Sequence, residues 1–262
     1  MSESLKGGEA TALAGAPKPQ KLPQPQVSPR QYPFPWKFVR LVFPHIPRAS
    51  RASQDQASAA ILRYLDPEPI IEGFERIPAD PRFVVVANHY QRKGLWIAYA
   101  GAAITRVMAI RFGASDAVVR WVVTANWPPL RIGGLQIPSP GDALLPRVAH
   151  ALWCYDVPFA GSDPAHTAKA IRTLVRDART GDIPIGLFPE GVAGTAERMA
   201  PPLPGTGRLI GMLAQLGYPV LPVRIYETDR VIIRFGCPVP VSELLAASDP
   251  AELAMRRVAE LV

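Results

Sequence analysis

The sequence predicts an α/β domain built on a mixed, mostly parallel sheet covered by helices on both faces. Three observations carry this. Residues 83–86, 183–188 and 218–225 are apolar runs of strand length, without the polar alternation of a half-exposed strand, which is how strands covered on both faces read. Stretches of helical length and pattern lie between them, as crossover connections require. The chain has 262 residues, enough for one large core.

Taken in order, residues 1–29 are rich in Ala, Gly, Pro and Gln, with few large apolar side chains. Such a stretch buries too little surface to offset its ordering entropy, so a disordered tail is expected. Residues 30–51 mix aromatic, basic and aliphatic side chains. Trp36, Val39 and Phe43 share one face of a helix that the prolines at 33, 35, 44 and 47 limit to about two turns. That pattern fits an interfacial membrane anchor, with Trp and Phe at headgroup depth and Lys or Arg on lipid phosphate; packing along the domain's own core is the alternative. Residues 52–262 read as a single domain.

Ser53 and Gln56 have the spacing of a capping box opening a helix to residue 64. Residues 74–77 read as an edge strand and 83–87 as a buried one. The charge-free, Ala-rich stretch 95–105 is expected as a buried helix, and 107–110 as a further strand. Ser115, followed by Asp116, is the N-cap expected for a helix to 123. Gly133-Gly134 marks a turn into strand 135–137, and 142–154 reads as a helix. Asp163-Pro164 opens a long amphipathic helix to 180. Strand 183–188 is followed by a Pro/Gly/Ala loop over 192–204, long enough to be functional. A helix over 207–216 stops at Gly217. Strands 218–225 and 230–235, then helices 242–247 and 250–262, close the chain.

Charge divides the chain in the same way. The formal net charge is +7, and residues 1–51 hold eight Lys/Arg against two Glu, so the remainder is close to neutral. A basic tail on a near-neutral domain fits an anionic membrane surface and argues against a nucleic-acid partner. Cys154 and Cys237 match no metal spacing and read as two reduced thiols; no metal is expected. No apolar run approaches the roughly 20 residues of a spanning helix. The expected location is cytoplasmic, peripheral at the inner face of the membrane.

Two strand ends carry the chemistry. Asn88-His89 follows the strand 83–87, and Pro189-Glu190-Gly191 follows the strand 183–188. In open α/β sheets, ligands and catalytic groups gather at the carboxyl ends of strands. A buried imidazole or carboxylate there needs a partner. Arg92-Lys93 beside His89 suits an anionic group, or two exposed cations at a helix start. Gly205-Thr-Gly-Arg208 lacks a preceding strand and reads as a helix start rather than a nucleotide loop.

Asn88-His89, then Phe188-Pro189-Glu190-Gly191 about a hundred residues on, then the strand from Tyr218 to Arg224, resemble in order and spacing the glycerolipid acyltransferase family. These are the lysophosphatidic acid acyltransferases, often called PlsC-like. The family's first motif is Asn-His, four residues, then Asp; its third is Phe-Pro-Glu-Gly-Thr-Arg; its fourth is an apolar strand with a Val-Pro-Val-like rhythm. The match covers roughly residues 83–238. The resemblance implies acyl transfer from a thioester, acyl-CoA or acyl carrier protein as co-substrate, to a lipid or other hydroxyl acceptor, with no further cofactor. It implies His89 as general base; the family's Glu at the position of Glu190 is usually assigned to acceptor binding, and Glu190 is read as catalytic from its place at a neighbouring strand end. Asn88, Arg92, Lys93, Phe188, Pro189, Gly191 and Arg208 are the substrate-binding candidates.

The departures are specific. Gly94 stands where the family has Asp, Val192-Ala193 where it has Thr-Arg, Pro140 where its second motif ends in Arg, and Leu203-Pro204 where Lys is common. In a catalytic triad the carboxylate holds the imidazole's tautomer and supports its charge. With Gly at 94, Glu190 is the expected substitute, ahead of Asp116 and Asp142. The missing cations favour a neutral hydroxyl acceptor over a phosphate-bearing one. Two functions stay open: an O-acyltransferase of the phospholipid/glycerol type with an altered site, and a catalytically degenerate protein that binds lipid or acyl carrier.

Overall fold

The structure, a computed structural model, describes residues 30–113, 116–124, 130–132, 135–137, 140–158, 163–192, 194 and 199–261. The unit considered is Gln31–Val262. The expected disordered tail and the Gly133-Gly134 turn lie outside the described residues.

The strands are β1 (Ile70–Glu72), β2 (Val84–Ala87), β3 (Arg120–Thr124), β4 (Leu130–Ile132), β5 (Leu135–Ile137), β6 (Tyr155–Val157), β7 (Ile185–Leu187), β8 (Val220–Glu227) and β9 (Val231–Phe235). The helices are α1 (Trp36–Val42), α2 (Gln54–Leu62), α3 (Ile97–Phe112), α4 (Pro140–Ala151), α5 (Pro164–Thr180), α6 (Thr206–Gln215), α7 (Val241–Ala246) and α8 (Pro250–Ala259). Among the described residues, seven strands form one sheet in the order β1-β9-β8-β2-β7-β3-β6, and β4 pairs with β5 apart from it. All neighbours in the large sheet run parallel except β8 and β9.

β2 lies between β7 and β8, with Val84 opposite both Ile185 and Val220. Its side chains alternate between two cores. Val85 and Ala87 pack with α2 and α3; Val84 and Val86 pack with α5, α6 and α8. Phe83 to Ala87 are wholly buried, so each valine contributes about 1.5–3 kcal/mol of burial as an upper figure. Helix starts follow the sequence signals. Ser53 Oγ accepts from the Gln56 N–H at 3.3 Å, and Asp163 Oδ1 from the His166 N–H at 2.9 Å.

Four expectations are corrected. Residues 107–110 are not a strand but the last turns of α3, which runs on to Gly113 at φ +65°. Val107, Met108 and Ala109 continue the buried stripe of Ala103 and Ile104 while Ile110 is exposed, and a short apolar run does not by itself set a period. The segment after Asp116 is not a helix but leads into β3. There the Gln54 side chain takes the Val118 and Val119 N–H groups on Oε1 and donates to the Val119 carbonyl, supplying an extended segment with partners. The edge strand is Ile70–Glu72 against β9, while Phe74–Arg76 is a 3-10 turn after Gly73 at φ +74°. The helix expected over 142–154 stops at Ala151, and Tyr155 begins β6. Among the described residues no helix is long and apolar enough to cross a membrane.

Candidate active site

Because β2 and β7 are parallel neighbours, their carboxyl ends lie side by side. The loops that follow are laced together. The Asn88 amide extends the ladder with its side chain: Nδ2 donates to the Ile225 carbonyl at 2.9 Å, and Oδ1 accepts from the Ile225 N–H at 2.7 Å. Asn88 is therefore buried and wholly committed to β8. His89 comes next, and both of its backbone groups are held by the loop after β7. Its N–H donates to Glu190 Oε1 at 2.6 Å, and its carbonyl accepts from the Gly194 N–H at 2.8 Å.

Glu190 is almost fully buried. Its second oxygen accepts from the Ala200 N–H, so one carboxylate joins the two loops. Burial pushes its pKa up, against the opposing effects of the His89 and Ala200 N–H groups and of Arg224. Arg224, buried on β8, is pushed down by the same desolvation and supported by Glu190. The Glu190 turn fits only glycine at the next position. Gly191 has φ +60°, and a Cβ there would stand 2.2 Å from Leu203 Cδ1. Pro189 is buried, and its carbonyl accepts from the Leu203 N–H at 2.8 Å.

The structure thus brings His89 and Glu190 together but not through the imidazole. Both Glu190 oxygens go to main-chain N–H groups. His89 Nδ1 is buried with no hydrogen-bond partner among the described residues. The expected orienting role of Glu190 is therefore corrected: it fixes the backbone of His89, and among the described residues no carboxylate meets the ring's Nδ1. What positions the ring is aromatic. Phe188 meets it edge-on at 5.7 Å and stacks on Trp121 at 4.9 Å, and Trp121 Nε1 donates to Thr105 Oγ1 at 2.9 Å. Trp121 lies so close over β7 that a Cβ at Gly186 would be 2.3 Å from its ring. Burial lowers the His89 pKa from its ordinary 6.5 and so favours the neutral ring.

Position 94 explains the missing carboxylate. Arg92 and Leu95 exchange backbone hydrogen bonds at 3.2 and 2.9 Å, closing a tight turn on Lys93-Gly94. Gly94 has φ +79°, its carbonyl accepts from the Tyr32 N–H at 2.8 Å, and a Cβ would lie 2.1 Å from Gln31 Oε1. A larger residue would strain this turn and press on Gln31.

Arg92 is committed inside the protein. Nε and Nη2 engage both oxygens of Glu227, which also accepts from the Tyr90 and Tyr32 hydroxyls at 3.3 and 3.4 Å. Lys93 is exposed, as is Arg208 in the first turn of α6. Asp116 is exposed, and the Asp142 side chain lies outside the described residues.

Sequence reasoning missed four contributors. Ala200 and Gly194 act through their N–H groups, which no side-chain pattern reveals. Arg224 was visible as a lone charge in an apolar strand. Trp96 was read as core but is exposed at the N-cap of α3. Phe34 meets Trp36 at 4.7 Å and Trp96 at 4.9 Å, both edge-on, and all three rings are exposed. This aromatic edge lies two residues from Gly94, with Lys37, Arg40 and Lys93 also exposed. Trp36 and Phe43 face outward from their segment, while Val39 is half-buried.

No family model and no curated protein matches the chain. Among solved structures it is similar to the 1-acyl-sn-glycerophosphate (LPA) acyltransferase PlsC from Thermotoga maritima, at 17% sequence identity and a TM-score of 0.49, over 86% of this chain and 92% of that one.

Proposed function

We propose that the protein transfers an acyl group from a thioester to a hydroxyl at a membrane surface, with His89 as general base. The observation that carries this reading is an imidazole at the carboxyl edge of a parallel sheet, its main chain clamped on both sides by the Glu190 loop, with burial favouring its neutral form. The Asn-His and Phe-Pro-Glu-Gly motifs supply the reaction class. The acceptor hydroxyl attacks the thioester carbonyl as His89 takes its proton. The tetrahedral intermediate collapses, the carbon–sulfur bond breaks, and the imidazolium returns the proton to the thiolate. Acyl-CoA or acyl carrier protein is the donor. A neutral alcohol or lipid hydroxyl is the acceptor, because Arg92 already neutralises Glu227. The aromatic edge of Phe34, Trp36 and Trp96 provides contact with the inner face of the membrane, where such acceptors reside.

A second reading has its own support. Among the described residues nothing accepts from or stabilises the imidazolium at Nδ1, and loss of that carboxylate in a triad costs about ten-thousand-fold in rate. A lipid- or acyl-carrier-binding protein that no longer turns over fits this feature. Thiol release from acyl-CoA by the purified protein, with a panel of hydroxyl acceptors and anionic vesicles, separates the two. Acceptor-dependent release that disappears in His89→Ala is the expected result. Donor binding without any His89-dependent release overturns the enzyme reading in favour of the second.

A further inference from the structure

The sheet has a second polar site at its other end. Arg120, Tyr155 and Ile185 are the first residues of β3, β6 and β7, so they mark the amino edge of the sheet. His89 and Glu190 are beyond its carboxyl edge, separated from them by at least a strand length of about 13 Å. Two adjoining cavities open at the amino edge, of about 400 and 640 Å³, sharing Arg51, Arg120, Tyr155 and Asp177 as walls.

The charges there do not balance. Arg51, Arg120, Lys169 and Arg176 line the cavities against Asp156 and Asp177. Asp177 is engaged by both Arg120 and Arg176, and Asp156 by His166 at 3.0 Å. Among the described residues that leaves the charges of Arg51 and Lys169 without a carboxylate. Two further donors in the walls lack an acceptor: Arg120 Nε and Trp153 Nε1 are buried and make no hydrogen bond among the described residues. Buried donors in native proteins are nearly always satisfied, so two in one place call for an acceptor. Trp153 is moreover held at φ +62°, a conformation a bulky residue rarely takes, and its ring lies 3.8 Å beneath the Arg51 guanidinium.

We propose that these cavities bind the phosphoryl group of a small phosphate monoester. A tetrahedral phosphoryl group offers three acceptor oxygens and about two negative charges, which matches two orphan N–H groups and two unbalanced cations. A carboxylate offers two oxygens and one charge, fewer than the site can use. The space exceeds that of inorganic phosphate, so the monoester carries an organic part that occupies the remainder. The site is independent of His89 and of the reaction proposed there.

Calorimetric titration of the full chain tests this with three probes: inorganic phosphate, glycerol 3-phosphate and, at matched ionic strength, acetate. Saturable binding of both phosphates, tighter for the monoester and absent for acetate, is expected. Arg51→Gln and Lys169→Gln alter exposed side chains, and Trp153→Phe removes the indole N–H while keeping a ring. Each variant is expected to weaken the monoester about tenfold, the loss of one charge-assisted contact, with an unchanged melting temperature when no ligand is added. His89→Ala is expected to bind as the wild type does. Binding that all three substitutions leave intact means an adventitious ion only, and overturns the proposal. So does acetate binding as tightly as phosphate, or no saturable binding at all.

Discussion

Replacing Gly94 by Asp restores on paper the carboxylate that the acyltransferase pattern places four residues after the histidine. The geometry says that it will not restore it in fact. At φ +79° an L-residue sits in the left-handed region, at a cost of roughly 1–2 kcal/mol, with Asp among the more tolerant types. The new Cβ would lie 2.1 Å from Gln31 Oε1 and 3.1 Å from Gln31 Cα. The side-chain contact is cheap to relieve, because the Gln31 amide is exposed and donates only a 3.5 Å bond to the Lys93 carbonyl. The contact with Cα is harder, because the neighbouring Tyr32 N–H is tied to Gly94 itself. A total of about 1–3 kcal/mol follows, read as a lower denaturant midpoint at unchanged slope. The new Cβ points at Gln31, whereas the ring contact of His89 is with Phe188, so the carboxylate is not expected to reach the imidazole. Gly94→Ala should therefore destabilise by a similar amount, and neither variant should gain His89-dependent thioester loss. A Gly94→Asp protein as stable as the wild type, with raised transfer, would refute the reasoning about this turn.

Three further outcomes are expected. Glu190→Gln replaces an acceptor-only group by one with a donor side, leaving either the His89 or the Ala200 N–H opposed and removing the charge that supports Arg224; a loss of about 2–4 kcal/mol in chemical denaturation is expected. Asn88→Ala strands the buried N–H and carbonyl of Ile225 and should cost a similar 2–4 kcal/mol, while Asn88→Asp, which sets a buried carboxylate oxygen against the Ile225 carbonyl, should cost at least as much. His89 has a folded-state pKa below 6.5, so the unfolded chain takes up its proton first; its contribution to stability is whole above pH 6.5 and is lost as pH falls through the folded value. Stability curves of wild type and His89→Gln should therefore run parallel above pH 6.5 and converge or cross below it, and parallel curves down to pH 4.5 would count against a buried neutral imidazole.

What the sequence revealed follows from where the information lies. The buried strands were visible because residues covered on both faces must all be apolar, and the strand ends because Asn88, His89 and Glu190 interrupt such runs. The caps at Ser53 and Asp163 were visible because the interaction spans three residues. The misread segments lacked a local arbiter. Residues 107–110 suit a strand as well as a helix, and what makes them helical is the continuation of α3 to Gly113. The segment before β3 is extended partly because Gln54, 65 residues earlier than Val119, satisfies its backbone. Arg92 stands beside His89 in sequence, yet its partner Glu227 is 135 residues away, so its neutralisation was invisible. Trp96 looked like core because its neighbours are, and only its place at the N-cap turns it outward.

The central position of β2 also bears on how the chain comes together. Both of its neighbours, β7 and β8, are made long after it, and the residues that secure Asn88 and His89 lie 137 and 101 positions downstream. Such non-local pairing is slow, because closing long loops precedes any reward from the contacts. Until Val220 has emerged from the ribosome, β2 has at least one unpaired edge on an uninterrupted apolar strand, an arrangement open to association with other chains. The same two-sided burial of β2 that builds the finished core makes the half-synthesised protein a client for chaperones.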